Sequence, residues 1–265
     1  MKIKVMRVRL MSIKLSFTIV MLMTLLTACG GGSSSSNSSE KPIAKQPIPK
    51  QQLSFNADFS DTKQSFAIDV ADHQVEHSLN QFIISELVQL PSPYEYRNGI
   101  EFSWNNYNED IKGFINKKVS DLKPNSQFTV EFNVNILTFM SEECIGIGGS
   151  PGKDVVVKAS LLAQEPLKYV DNSGIFPIYR VDIDESLYGG DDVNYLGHIG
   201  LPVPCDDIFL HQDPVWEIKH LTNEDDSLFY SNASGDAWVY VSVDSGVGGS
   251  QKVFITDIAV QLTEQ

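Results

Sequence analysis

The sequence predicts an all-β protein built as an antiparallel β-sandwich or jelly roll. Residues 127–136 alternate polar and apolar side chains, which is the period-two pattern of a half-buried strand. Residues 154–159, 237–243 and 252–262 are further runs rich in Val, Ile and aromatic side chains. Short strands separated by frequent turn residues are typical of sandwich folds, so this class accounts for the chain best.

Each of these runs is bounded by residues that favour turns. Leu122–Asn125 contains a proline and an asparagine before the first strand, and Gly148–Gly152 is rich in glycine before the second. The segment Gly246–Ser250 lies between the last two runs. Its glycines predict a hairpin loop that joins these two strands.

Two of these segments resemble strands of known domains. They are DLKPNSQFTVEFNVNI (121–136) and DAWVYVSVDSGVGGSQKVFITDIAVQL (236–262). Both are similar to strands of the galactose-binding-like jelly rolls found in many carbohydrate-binding modules. More narrowly, GIGGSPGKDVVVKASLLAQEP (146–166) and DSGVGGS (244–250) resemble segments of an uncharacterised family of secreted bacterial proteins and lipoproteins. That resemblance covers most of residues 55–262 in patches, and it implies a fold but no activity.

The jelly-roll resemblance also implies a structural Ca²⁺ ion. In many such modules an acid near the first strand and an aspartate in the last strand share a calcium, and the matching positions are Asp58 or Asp61 with Asp257. A second acidic stretch contains Asp182 and Asp184, where a calcium loop outside the EF-hand class is a hypothesis. The alternative is solvated surface charge, which fits a chain this acidic.

Aromatic side chains form the candidate ligand-binding residues. Tyr94, Tyr96, Trp104 and Tyr107 lie close together in a loop-rich stretch that also contains several asparagines. Flat aromatic faces stack on sugar rings while polar side chains bind the hydroxyl groups, so this composition suits a glycan. The alternative is that Trp104 belongs to the core and the tyrosines pack at the sandwich edge.

The N-terminus resembles that of a bacterial lipoprotein. A basic segment precedes an apolar run too short to span a bilayer, which ends in the lipobox-like tetrapeptide Leu26–Cys29. The resemblance implies a signal peptide over 1–28, lipidation of Cys29 and stable anchoring by several acyl chains. Gly30 follows the cysteine, which in enteric-type lipoproteins implies the outer membrane, with the domain facing the periplasm or the surface. Residues 29–51 then read as a disordered Gly/Ser/Pro linker before a β-sandwich domain over 52–265.

Charge and cysteine content constrain the partners. Without the signal peptide, 15 Lys and Arg remain against 34 Asp and Glu, a formal charge of −19. This acidity argues against binding to nucleic acid or to bare anionic lipid. The expected partners are the lipid bilayer through acylated Cys29, and a glycan or an envelope protein. Cys144 and Cys205 are an even pair in an oxidising compartment, so a disulfide is predicted, with two buried thiols as the alternative.

The sequence contains no convincing catalytic motif. Gly148–Gly152 matches G-x-S-x-G formally, but the residue after Ser150 is Pro151, which lacks the backbone N–H that an oxyanion hole requires. The leading hypothesis is therefore a non-catalytic lipoprotein that binds glycan or another surface ligand. The alternatives are a glycoside hydrolase or polysaccharide lyase on the same fold, and a structural or assembly lipoprotein with a protein partner.

Overall fold

A computed structural model describes residues 49–76, 83–106, 110–206, 214–223 and 227–265. The predicted signal peptide, Cys29, most of the predicted linker and Tyr107 lie outside these ranges. Within them, no helix has the length and apolar character that crossing a membrane requires. The strands are β1 (Gln52–Asp58), β2 (Ala67–Ala71), β3 (His73–Gln74), β4 (Ile83–Gln89), β5 (Asn98–Asn106), β6 (Ile111–Val119), β7 (Gln127–Thr138), β8 (Val155–Leu162), β9 (Lys168–Asp171), β10 (Ile178–Val181), β11 (Asn194–His198), β12 (Glu217–Thr222), β13 (Ser227–Tyr230), β14 (Ala237–Ser245) and β15 (Gly249–Glu264).

Two large antiparallel sheets form the sandwich. One follows the order β12-β7-β15-β5-β4, with β1 also paired to β15 and β13 to β7. The other follows the order β11-β8-β14-β6-β2, and β3, β10 and β9 form a smaller third sheet. All pairings between these strands are antiparallel, so the predicted all-β, antiparallel sandwich class is confirmed.

The main core lies between the two large sheets. On β7, Phe128, Val130, Phe132, Val134 and Ile136 are buried, while the residues that alternate with them are partly or fully exposed. Strands β8, β14 and β15 contribute the facing apolar side chains. The alternation read from residues 127–136 therefore marks which face of β7 enters the core.

Strand β8, which lies between β11 and β14 in the second sheet, is buried on both faces. All eight residues of β8 are buried, because residues 165–193, here called the covering segment, pack over the outer face of the sheet. Phe114 and Tyr240 of the sheet contact Val181 and Val193 of that segment in a second apolar cluster. A strand buried on both faces has a mostly apolar sequence instead of an alternating one, as Val155–Leu162 shows apart from Lys158 and Ser160.

The hairpin predicted between the last two strands is wrong. β14 pairs with β6 and β8 in one sheet, whereas β15 pairs with β1, β5 and β7 in the other. Residues 246–248 therefore cross from one sheet to the other. Both strands are rich in apolar residues. Each is flanked on both sides by hydrogen-bonded strands of its own sheet.

A disulfide joins Cys144 and Cys205, as the cysteine content predicts. Cys144 follows β7 and Cys205 follows β11, and their Cα atoms lie 4.8 Å apart. The bond therefore connects two loops that follow strands of different large sheets.

Candidate functional site

Five charged side chains are buried together on the outer face of the second sheet. Lys112 lies on β6, Lys158 on β8 and Asp244 on β14, while Asp72 follows β2 and Glu185 belongs to the covering segment. We call these five residues the charge cluster. Their side chains are between 0% and 9% exposed, so water screens them little.

Strand register brings the three sheet residues to one face. Lys112 stands opposite Asp244, and Lys158 stands opposite Ser242, two residues before Asp244 on the same strand. Residues two apart on a strand point to the same side, so Lys158 and Asp244 are diagonal neighbours. Register thus places a lysine on each side of Asp244.

The cluster is held by short ion pairs. Lys158 Nζ lies 2.6 Å from Asp244 Oδ2 and 3.0 Å from Glu185 Oε2, and it donates a hydrogen bond to the Ser186 carbonyl oxygen at 2.8 Å. Lys112 Nζ lies 2.8 Å from Asp72 Oδ2 and also contacts Glu185 Oε1. Glu185 thus lies between the two lysines.

Burial shifts the protonation equilibria of this cluster. Burial raises the pKa of Asp244 and outweighs the opposing effects of Lys158 and Lys112. Burial alone would lower the pKa of Lys112, but Asp72 and Glu185 outweigh it and raise that pKa above its usual value. The pKa of Tyr240, which donates a hydrogen bond to Glu185 Oε1 at 3.1 Å, is raised by burial and by that carboxylate.

A cavity of about 500 Å³ opens onto the cluster. Its floor includes Lys112 and Glu185, and its mouth includes Tyr169, whose side chain is 48% exposed. Arg180 and Asp110 also line the cavity, and Arg180 Nη1 lies 2.8 Å from Asp72 and 3.0 Å from Asp110. The cavity therefore presents cationic donors and carboxylate acceptors beside the aromatic side chain of Tyr169.

A second cavity of about 510 Å³ lies at the sandwich edge, between β13 and the start of β11. Tyr230 is the exposed aromatic there, with 64% of its surface accessible. Asp191 and Asn194 provide polar groups, and no lysine or arginine is among the described residues that line this cavity. This cavity therefore lacks the paired charges of the first one.

The structure does not support Trp104 as a sugar-stacking residue. Its side chain is 3% exposed in the main core, and its Nε1–H donates a 2.6 Å hydrogen bond to Gln251 Oε1. Tyr94 packs against a small apolar cluster, while Tyr96 is exposed and lies beside it, with ring centroids 6.5 Å apart. Tyr107 lies outside the described residues. The prediction of one shared aromatic platform is corrected accordingly, because Trp104 faces the opposite sheet.

The first pair of predicted calcium ligands does meet in space. Asp58 and Asp257 stand directly opposite each other on β1 and β15, while Asp61 is exposed in the following turn. Arg97 Nη2 lies 3.1 Å from Asp58 Oδ1, 3.6 Å from Asp257 Oδ2 and 3.1 Å from the Thr256 carbonyl oxygen. The three oxygens thus surround a guanidinium group.

This arrangement does not fit a calcium ion at the Asp58–Asp257 pair. Ca²⁺ requires six to eight oxygen ligands around one point, and here the side chain of Arg97 occupies the space between the two carboxylates. The guanidinium group also supplies the positive charge that the ion would bring. Asp58 accepts hydrogen bonds from the backbone N–H and the hydroxyl group of Ser60, which together with Arg97 lower its pKa despite partial burial.

The second pair of predicted calcium ligands, Asp182 and Asp184, lies at the protein surface. Asp182 and Asp184 are both exposed, and Asp182 Oδ1 accepts the backbone N–H of Leu167. The next acid along the chain, Glu185, is the one that turns inward to the charge cluster. Among the described residues, no group of three His, Cys, Asp or Glu side chains is placed to hold a metal ion.

Sequence reasoning missed the two residues at the centre of the cluster. Lys158 interrupts the apolar run Val155–Leu162, and Asp244 ends the apolar run that starts at Ala237. A charged residue inside a continuously apolar strand is unusual, because such strands are buried on both faces. These two positions could have been identified as unusual from the sequence, but the sequence did not indicate that the two side chains form an ion pair with each other.

Comparison with known proteins finds similarity to solved structures at low sequence identity. The sequence matches no protein-family model and no curated protein. Among solved structures, it is similar to the enzymatically active domain of tailspike protein 4 from bacteriophage CBA120 (10% identity, TM-score 0.29), covering 74% of this chain but only 19% of that one. TmCBM61 in complex with β-1,4-galactotriose is 11% identical with a TM-score of 0.31, covering 74% of this chain and 88% of the other. Peanut lectin with a nine-residue peptide is 11% identical with a TM-score of 0.32, covering 81% and 99%.

Proposed function

We propose that this protein binds a neutral glycan in the cavity beside the charge cluster, without catalysis. One observation carries the proposal: a single cavity places cationic donors, carboxylate acceptors and one half-exposed tyrosine within reach of the same ligand. Lys112 and Arg180 are the donors, and Asp110 and Glu185 are among the acceptors. A sugar hydroxyl both donates and accepts, so it suits such a mixed lining.

The charges of the cavity favour a neutral ligand. Lys112 and Arg180 are already paired with carboxylates, so little positive charge remains for an anionic sugar. The strongly acidic chain also repels polyanions at long range. Hydroxyl groups can join these ion pairs without breaking their charge balance.

The aromatic side chain at the mouth provides the apolar contact. Tyr169 lies on β9, at the edge of the small third sheet, where its side chain is half exposed. The C–H face of a pyranose ring can pack on such a side chain while its hydroxyls reach inward. Tyr169 therefore replaces Trp104 as the residue to test.

The test is a neutral and acidic glycan array probed with the full-length protein in detergent. We expect neutral glycans to bind, and Tyr169→Ala to weaken binding about tenfold, the equivalent of one aromatic contact. Tyr230→Ala is the matched control, because Tyr230 is an exposed tyrosine of the other cavity. Equal binding by wild type and Tyr169→Ala would reject this site, and a blank array would favour a protein partner.

A glycosidase is the alternative that the cavity raises, because Glu185 and Asp244 both line it. Hydrolysis needs one protonated carboxyl and one carboxylate available to the substrate or to water. Here both acids contact Lys158 Nζ, which favours binding over hydrolysis. Release of reducing sugar from any bound glycan would establish the enzymatic alternative instead.

We also propose that Cys29 carries the lipid that anchors this domain to the outer membrane. The support is the lipobox-like sequence Leu26–Cys29 and the polar linker that follows. Cys29→Ser should abolish labelling by radioactive palmitate. A membrane fraction that still contains labelled Cys29→Ser protein would contradict the assignment.

A further inference from the structure

Lys158 is completely buried between the carboxyl groups of Asp244 and Glu185. Its side chain is 0% exposed, its Nζ lies 2.6 Å from Asp244 Oδ2 and 3.0 Å from Glu185 Oε2. Strands β8 and β14 pair over eight successive positions around this contact, which fixes the two backbones relative to each other. A buried ion pair loses much of the hydration energy of both ions, so a neutral product at this position is favoured.

We propose that Lys158 and Asp244 form an intramolecular isopeptide bond, with Glu185 transferring the protons. The bond would join two adjacent strands of the second sheet, 86 residues apart in sequence. It is independent of glycan binding, since it needs only these three side chains.

The reaction balances with no other reactant. Glu185 takes a proton from the Lys158 ammonium group, which leaves a neutral amine as the nucleophile. The amine Nζ attacks Cγ of the protonated Asp244 carboxyl group, forming the C–N bond. The C–O bond of the Asp244 hydroxyl then breaks, and Glu185 passes a proton to that oxygen. The amine loses its remaining extra proton to Glu185, so the products are one amide and one water molecule, and no oxidant or reductant takes part.

The geometry supplies what this condensation needs. Lys158 Nζ already lies 2.6 Å from Asp244 Oδ2 on a paired strand, so folding has met the entropy cost of bringing the two groups together. Burial raises the pKa of Asp244, and the protonated carboxyl group is the form that can react. Asp244 also lines the 500 Å³ cavity, which gives the released water a route out of the protein.

The neighbouring lysine is not equivalent. Lys112 Nζ lies 2.8 Å from Asp72, but Arg180 Nη1 lies 2.8 Å from the other oxygen of the same carboxylate. Amide formation at Asp72 would remove a carboxylate oxygen and so break a contact that one of these two cations makes with it. The structure therefore assigns the bond to Lys158 and Asp244 and leaves Lys112 as an ordinary ion pair.

A tryptic peptide map of the wild-type full-length protein, after reduction, tests the proposal directly. Trypsin does not cleave after a lysine whose amine is an amide, so we expect residues 154–168 joined to residues 220–252. The mass of this species should be the sum of the two peptides less one water. Fragmentation should locate the linkage at Lys158 and Asp244.

The opposite result is equally definite. Recovery of the separate peptides 154–158 and 159–168 from folded wild-type protein would show an ion pair only and overturn the proposal. Protection of Cys144 and Cys205 from alkylation before reduction identifies the folded protein, because their disulfide requires the native loops to meet.

Variants then separate the roles. Lys158→Arg should abolish the linked species, because a guanidinium group keeps its charge and is not a nucleophile here. Glu185→Gln should reduce its yield at least about tenfold, since general acid–base catalysis is lost. Lys112→Arg is the matched control, and it should retain the linked species. Unchanged yield in Glu185→Gln would overturn the role given to that carboxyl group.

Discussion

Trp104 provides the sharpest test of the distinction between core and ligand site. The sequence hypothesis makes Trp104 part of an aromatic ligand platform, whereas the structure buries it against Phe102 and bonds its indole N–H to Gln251. The substitution Trp104→Phe keeps an aromatic ring but removes the N–H and part of the volume. The two interpretations then predict opposite results for stability and for glycan binding.

The expected loss of stability follows from two contributions. Phenylalanine is about 40 Å³ smaller than tryptophan, which costs about 1 kcal/mol at the usual cavity coefficient. The second contribution is the lost hydrogen bond from the indole N–H to Gln251 Oε1. This oxygen still accepts a hydrogen bond from the Ser245 hydroxyl group at 3.3 Å, so the loss should cost about 1 kcal/mol, the low end of the cost of an unsatisfied buried acceptor. Trp104→Phe should therefore lower the unfolding free energy by about 2 kcal/mol.

Urea denaturation of the full-length protein in detergent measures this change. Trp104→Phe combined with Gln251→Met is the matched control, since removing both partners should recover the hydrogen-bond contribution. Glycan binding at a temperature where both proteins are folded should be unchanged. Loss of binding with an unchanged unfolding free energy would refute the core assignment and restore Trp104 to the ligand site.

Three further predictions concern stability. Arg97→Ala should lower the unfolding free energy by only about 1 kcal/mol, because the ion pairs that it breaks are partly solvated. Calcium should raise the melting temperature of this variant but not that of the wild type. A rise in the melting temperature of the wild type with calcium would contradict the role of Arg97. Replacing both Cys144 and Cys205 with alanine should cost about 4 kcal/mol in the chain-entropy model, as measured by denaturation against the oxidised wild type, and the reduced wild type should match the variant. Burial is the main cause that lowers the pKa values of His73 and His198 below 6.5, so the unfolded state binds more protons and stability should fall as pH drops below that value. A denaturation series from pH 7.5 to 5 measures this, and the fall should be smaller in His73→Gln and in His198→Gln.

The elements that the sequence predicted well are those whose pattern is local. The period-two run at 127–136 became the core-facing side of β7 because alternation directly reflects one buried face. The two non-lipobox cysteines, Cys144 and Cys205, were paired correctly because only one pairing was possible. Both inferences needed no knowledge of which strands are neighbours.

The hairpin prediction failed for a physical reason that local sequence does not contain. A glycine-rich link after a strand can turn back into the same sheet or cross to the opposite one, and the residues 246–248 are compatible with both. The choice depends on which partners cover β14 and β15 on either side. Those partners come from strands more than 70 residues away in the chain, such as β6 and β8.

The candidate site depends on the same kind of distant information. Arg97, in the turn before β5, neutralises acids that the sequence assigned to calcium. In the acidic stretch near Asp184, the residue that reaches the candidate site is Glu185, whose side chain contacts two lysines on different strands. Sequence composition identified acids and aromatics, but it did not show which of them would be buried and paired.

By itself, the sequence determined the all-β class, the principal strands, the cysteine pair and the acidity, because each depends on composition or on short-range periodicity. The tertiary structure alone decided that Trp104 is a core residue and that Lys158, Glu185 and Asp244 meet in one buried cluster. The reason is strand pairing: register between β8 and β14 brings side chains 86 residues apart into contact, and no local pattern encodes that register.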